Sequence, residues 1–229
     1  MFVRWITQAG LVFESERATV IVDPYLSDSV GLLDESKHRR MPVDESFFDI
    51  SPDVIIITHE HLDHLDPETL KRFLSKDKKI TVLAPYNAYL KLLEFGGGHN
   101  YVLLRAGSVW SELGLTFYAV RAEHSDITAA GYIIDDGKRT YYISGDTLYN
   151  YDVIDDVIDL CEDGVYYAFL PINGVGNNMN IRDAADFAAE IGAKRVVPVH
   201  YGLFDDIDPA ALDCDDALIL KPYERTKLK

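Results

Sequence analysis

The sequence predicts a layered α/β fold, and three observations carry that prediction. Apolar β-branched runs such as Asp53-Val54-Ile55-Ile56-Ile57 read as buried strands. Capped amphipathic segments follow them, at Asp66-Pro67-Glu68-Thr69 and again at Asn180-Ile181-Arg182-Asp183. The strands fall into two sets, each followed by helices, so layers of helix and sheet can share one core. That pattern alone is also met by an ordinary single α/β sheet. With 229 residues, 48% of them hydrophobic, the chain can build a sizeable core. It has no sequence repeat and no low-complexity linker, so residues 1–229 read as one domain.

Taken in order, Val3 to Ile6, Leu11 to Phe13 and Ala18 to Val22 form short strands, the third stopped at Asp23-Pro24. Leu26 to Pro52 is a long, polar, aperiodic stretch, the signature of a lid, a binding loop or disorder. It contains Lys37-His38-Arg39-Arg40, a dense basic cluster that reads first as a solvated charge run and second as an anion-binding lid. The helix capped by Asp66 puts Leu70, Phe73 and Leu74 on its apolar face. Ile80 to Ala84 is a strand, and Tyr86 to Phe95 a helix stopped by Gly96-Gly97-Gly98. His99, in that glycine-rich break, is expected to be solvated. After the strand Tyr101 to Leu104, residues Gly107 to Thr147 read as antiparallel strands with a hairpin turn at Asp135-Asp136-Gly137-Lys138. A helix over Leu148 to Cys161, a buried strand over Tyr166 to Ile172, the capped helix at Asn180 and a strand over Arg195 to Val199 complete the pattern. The tail from Pro209 to Lys229 is weakly patterned.

Charge narrows the function. The net charge is -16, from 38 acidic and 22 basic side chains, and such a surface repels phosphate backbones. A small-molecule substrate is expected, with neither nucleic acid nor membrane as partner; a homo-oligomer is compatible with the sequence. No apolar run approaches the roughly 18 residues of a membrane span. Met1-Phe2-Val3-Arg4-Trp5 lacks the apolar segment of a signal peptide. Cys161 and Cys214 lie far apart without CxxC spacing and read as reduced thiols of a cytoplasmic protein, neither of them a metal ligand.

The chemistry is concentrated in Thr58-His59-Glu60-His61-Leu62-Asp63-His64, directly after the strand that ends at Ile57. In extended chain His59 and His61 point the same way, and two imidazoles on one side can converge on one metal ion at about 2 Å. Asp63 and His64 follow and can address a second ion. Three further candidates sit at strand ends: His124, Asp146 within Ser144-Gly145-Asp146-Thr147, and His200. Each alone is ambiguous, since a lone histidine at a strand end is more often structural than a ligand.

His59-x-His61-x-Asp63-His64 resembles the HxHxDH signature of the metallo-β-lactamase superfamily, and the resemblance runs along nearly the whole chain. It looks closest to the branch of L-ascorbate 6-phosphate lactonase-like proteins. It implies a four-layer αβ/βα sandwich with metals at the edges of two sheets. It also implies two divalent ions, zinc or manganese: one on His59, His61, His124 and Asp146, the other on Asp63, His64, His200 and the same Asp146 as a bridge. Asp23 would orient a metal-bound histidine. A shared water would become hydroxide near neutral pH, with Asp63 orienting it. Asn173, in Pro171-Ile172-Asn173-Gly174-Val175-Gly176-Asn177-Asn178, would donate to a developing oxyanion, and Tyr201 is a weaker candidate for substrate contact.

The expected activity is therefore a binuclear metal-dependent hydrolase opening a small lactone or ester, phosphorylated or not. A metal-dependent phosphodiesterase is the alternative enzyme, supported by Lys37 to Arg40. A metal-dependent ligand sensor without turnover is the alternative outside catalysis. β-Lactamase and glyoxalase II activities are disfavoured, because Leu65-Asp66-Pro67 follows His64 in place of a glycine-containing continuation.

Overall fold

A computed structural model describes every residue from Met1 to Lys229. Its first sheet starts with a meander of β1 (Phe2–Trp5), β2 (Leu11–Glu14) and β3 (Thr19–Val22), all antiparallel. A short helix, α1 (Ser29–Leu33), lies in the connection to β4 (Val54–Ile56). α2 (Pro67–Leu74) then leads to β5 (Thr81–Ala84), and α3 (Tyr86–Leu92) to β6 (Asn100–Leu103), so β3 to β6 run parallel. The second sheet opens with the antiparallel strands β7 (Val109–Glu112), β8 (Leu115–Arg121), β9 (Ala130–Asp135) and β10 (Thr140–Ile143). Crossovers through α4 (Tyr151–Leu160) and α5 (Ile181–Glu190) add β11 (Tyr167–Pro171) and β12 (Val196–Val199) in parallel. A final β13 (Thr226–Lys227) returns to pair with β1.

Side-chain alternation along the strands explains why the sheets stack. In β4, Val54 and Ile56 join a core shared with Phe117, Tyr132, Tyr141 and Phe169 of the second sheet. Ile55 and Ile57 turn the other way, toward Leu70 and Phe73 of α2 and Ala88 and Leu92 of α3. Phe13 meets Phe169 edge-on across the interface, ring centres 5.2 Å apart. On the outer face of the second sheet, Tyr142 stacks on Phe187 of α5. The order helix, sheet, sheet, helix is the four-layer αβ/βα sandwich. Burying each such side chain contributes roughly 1.5–3 kcal/mol before entropy is counted. No helix is long and apolar enough to cross a membrane.

The structure corrects the expected elements in four places. Leu26 to Pro52 is not featureless: besides α1 it holds 3₁₀ turns at Glu35–Lys37 and Glu45–Asp49, and Phe47 and Phe48 are buried. The helix expected from Leu148 starts at Tyr151, because the Asn150 side chain accepts from the Asp152 amide and caps it there. The tail is held by backbone pairing, Trp5 with Pro222 and β1 with β13, a long-range interaction that its own composition does not announce. His99 is not solvated. It is half-buried, with Nε2 donating to the Leu74 carbonyl at 2.7 Å and Nδ1 accepting from the Ile80 amide at 3.3 Å. Elsewhere the expected Asn180 capping box and the hairpin joining β9 to β10 are in place.

Candidate metal centre

The parallel order of β3, β4 and β5 brings the ends of those strands together, and the second sheet presents its own strand ends opposite. Asp23 follows β3, Thr58 to His64 follow β4, His124 follows β8, Asp146 follows β10 and His200 follows β12. Gly145 adopts φ +60°, and a Cβ there would fall 2.7 Å from Cβ of Thr58. Glycine at this position is what lets the Asp146 turn approach the histidine motif.

The seven sequence-predicted ligands converge in two adjoining groups. His59 Nε2 lies 2.9 Å from His61 Nδ1, and His124 Nε2 lies 3.1 Å from the same atom. Three nitrogens so close, from three rings, have the arrangement of donors to one ion. In the second group His64 Nε2 and His200 Nε2 are 3.3 Å apart, with Asp63 Oδ2 at 3.8 Å and 3.3 Å from them. Asp146 stands between: Oδ1 is 3.2 Å from both His64 and His200, and Oδ2 is 4.0 Å from both His59 and His124. Each group could hold one ion, and Asp146 could reach both. Asp146 Oδ1 is buried without a hydrogen bond, a polar atom that a cation would satisfy. The donor set of imidazole and carboxylate without thiolate suits zinc or manganese. Both cysteines are free and contribute nothing to it.

Hydrogen bonds behind the rings set their tautomers. Asp23 Oδ2 accepts from His64 Nδ1 at 2.8 Å and from the Thr58 hydroxyl at 2.6 Å, and Oδ1 accepts from the Thr58 amide. The Thr58 hydroxyl in turn accepts from His59 Nδ1 at 3.0 Å. Fully buried Asp23 thus orients two imidazoles at once, one directly and one through a hydroxyl, with their Nε2 atoms turned toward the ligand groups. Replacing Asp23 by alanine is expected to weaken binding of an ion to the Asp63–His64–His200 group by about 10- to 100-fold, read by titration of metal-free protein.

The two groups differ electrostatically. Burial opposes charge on His59, His64, His124 and His200. For His59, burial and the neighbouring His64 hold the imidazolium well below its ordinary range; His124 is lowered by burial too. For His64, Asp146, Asp23 and Asp63 outweigh burial and hold it well above that range. His200 is raised to about 9 because Asp146 and Asp63 outweigh burial. Burial would raise the carboxyls of Asp63 and Asp146, but His64 and His200 overcome it and keep both low.

The groups open into a cleft of about 770 Å³. Asp63 and Asn173 both line it, and Asn173 Oδ1 is buried and unpartnered. Asn178 was not singled out from the sequence; it is buried at the cleft wall with neither amide atom hydrogen-bonded. Tyr201 is corrected: its ring stacks on Trp5 at 4.7 Å inside the core, away from the cleft. The basic cluster is exposed at Lys37, His38 and Arg40, as a solvated run would be, with Arg39 half-buried. It is also tied to the fold: His38 donates to Asp28 at 2.6 Å, and Arg39 donates to the Tyr25 carbonyl and the Thr7 hydroxyl, each at 2.9 Å. Arg40 donates to the Asp205 carbonyl at 2.7 Å and pairs with Asp206. Lys37 alone of the four lines the cleft, loosely paired with Asp34 at 3.8 Å.

Comparison with known proteins agrees with this geometry. Residues 18–201 match the family described as the beta-lactamase superfamily domain. A UPF0173 protein of Pyrococcus furiosus is 26% identical over 215 residues, which cover 91% of this chain and 87% of that protein. A UPF0173 metal-dependent hydrolase of Exiguobacterium is 28% identical over 242 residues, covering 97% of each. In fold, the chain is similar to Igni18, a metallo hydrolase from Ignicoccus hospitalis, with a TM-score of 0.79 at 18% identity over 100% of this chain and 99% of that one. With the matched stretch running from β3 to the residue after His200, the chain belongs to the beta-lactamase superfamily.

Proposed function

We propose that this protein is a metal-dependent hydrolase that uses two divalent ions, zinc or manganese, to open a small lactone or ester. The observation that carries the reading is Asp146, one oxygen turned toward each ligand group. The metal-dependent hydrolases among its relatives support it. Bound ions would supply Lewis acidity toward the scissile carbonyl and acidify water. Asp63, held ionised by His64 and His200, accepts a hydrogen bond from the attacking water and so aims it. Asn173 donates from its amide to the oxyanion that develops on the substrate. Lys37 pairs with an anionic group distant from the scissile bond, so a phosphorylated or carboxylated lactone is the substrate class favoured here. We read residues 1–229 as one domain serving this site, in the lactonase-like branch.

A phosphodiesterase has weaker support, because three of the four basic side chains on which it rested are engaged elsewhere in the fold. A sensor without turnover is disfavoured by a cleft that leaves Asp63 partly exposed.

The test is elemental analysis of bound metal per chain, then a panel of neutral and anionic lactones, carboxylic esters and phosphodiesters with zinc and with manganese. Up to two ions and turnover of a lactone or ester are expected, with Lys37→Met raising KM for the anionic lactones more than for neutral ones. Folded protein that binds neither metal when both are supplied would end the hydrolase reading.

A further inference from the structure

The turn between β1 and β2 lies before the residues that match the superfamily, yet it enters the metal centre. Gln8 is 2% exposed and lines the same cleft. Its side-chain Nε2 donates to Asp63 Oδ2 at 2.8 Å and lies 3.2 and 3.3 Å from the two ring nitrogens of His200. Near-equal distances to both nitrogens mean that the amide packs against the ring rather than addressing one nitrogen. The backbone is engaged as well: the Gln8 carbonyl accepts from the His200 amide at 2.9 Å and from Trp5 Nε1 at 2.8 Å. Gln8 reaches this position in the left-handed region, at φ 51°, after Thr7 at φ 76°. Non-glycine residues there cost of order 1–3 kcal/mol each and persist where the surroundings enforce them.

We propose that Gln8 is a positioning residue for the Asp63–His64–His200 group, with no comparable hold on His59, His61 and His124. One amide proton occupies one face of Asp63 Oδ2 and fixes the rotamer of that carboxylate. The rest of the amide limits the tilt of the His200 ring, and the backbone carbonyl anchors the strand end that carries it. The side chain therefore sets the affinity of one ligand group selectively. This rests on the two-ion reading above.

The experiment is titration of the metal-free full chain with cobalt(II), followed by visible absorption and calorimetry. It compares the intact protein with Gln8→Gly and Gln8→Met. Glycine relieves the left-handed backbone and removes only the side chain; methionine keeps the bulk and removes the donor. Both variants are expected to weaken one binding event by about 10- to 100-fold, change its absorption bands and leave the other event unaltered. Two outcomes overturn the proposal: Gln8→Gly binding both ions as tightly as the intact protein, or both events weakening together. A single event in the intact protein would end the two-ion reading instead. Gln8 would then still be excluded if Gln8→Gly held that one ion with unchanged affinity and spectrum.

Discussion

Asp146→Ala is expected to lower hydrolysis of any substrate that the intact protein turns over by about a thousandfold, and to reduce metal content at both ligand groups. The size follows from what the carboxylate touches. It is the one side chain whose oxygens face His59 and His124 on one side and His64 and His200 on the other. An ion lost or displaced forfeits several kcal/mol of transition-state charge stabilisation, and about 4 kcal/mol corresponds to a factor of about a thousand in rate. Asp146→Asn separates charge from shape, because an amide oxygen can still face one group while the other meets an NH₂. It is expected to retain close to one ion per chain and little of the activity. Elemental analysis and kcat on the same preparations check this, with a melting curve confirming that the variants are folded. Full metal content and near-normal kcat in Asp146→Ala would remove the residue from the centre and leave two independent ion sites.

How legible this centre was depends on how each residue is placed. His59, His61, Asp63 and His64 stand within six positions after an unmistakable apolar strand, so local spacing sufficed. His124, Asp146 and His200 are far apart, and reading them as one set required the family resemblance; parallel β10 to β12 bring Asp146 and His200 to one edge, and β8, antiparallel to β9 as β10 is, ends on that edge with His124. Gln8 and Asn178 carried no local signal. A glutamine in a short turn and an asparagine in a glycine-containing loop become informative only when burial and missing or long-range partners are known. The same limit explains the misreadings. Tyr201 sits beside His200 in sequence, but the chain turns through the left-handed region at His200, φ 58°, and the ring finds Trp5. Lys37 to Arg40 are largely exposed, but as an anion-binding lid they are mostly spent: sequence shows the cations without Asp28, Asp206 and the carbonyls that engage three of them. The layer order was legible as α/β, whereas the pairing of the two sheets through Phe13 and Phe169 was not.

Loading of the two ligand groups is expected to separate with pH. In the metal-free protein His200 carries its proton up to about pH 9, and His64 is held protonated well above its ordinary range. An ion can bind their Nε2 atoms only after those protons leave. Each released proton makes apparent affinity rise about tenfold per pH unit, so two give about a hundredfold per unit until the histidines titrate. His59 and His124 are held below their ordinary range and are neutral at pH 7, so an ion meeting them displaces no proton from either ring. The group of three histidines should therefore fill first near pH 7, and the Asp63–His64–His200 group should fill as pH approaches 9. Calorimetry in buffers of different ionisation enthalpy counts the protons: about two for the weaker event and none from His59 or His124 for the tighter one. The same raised values act on the metal-free fold in the opposite direction. Stability from the His200 ion pairs is fully present below the ordinary value of 6.5 and is lost as pH rises through about 9. Metal-free protein should therefore melt at lower temperature as pH climbs across that window, while zinc-loaded protein should not. Equal affinities for both events from pH 6.5 to 9, with no proton released, would show that His64 and His200 are already neutral and that Asp63 and Asp146 do not govern them.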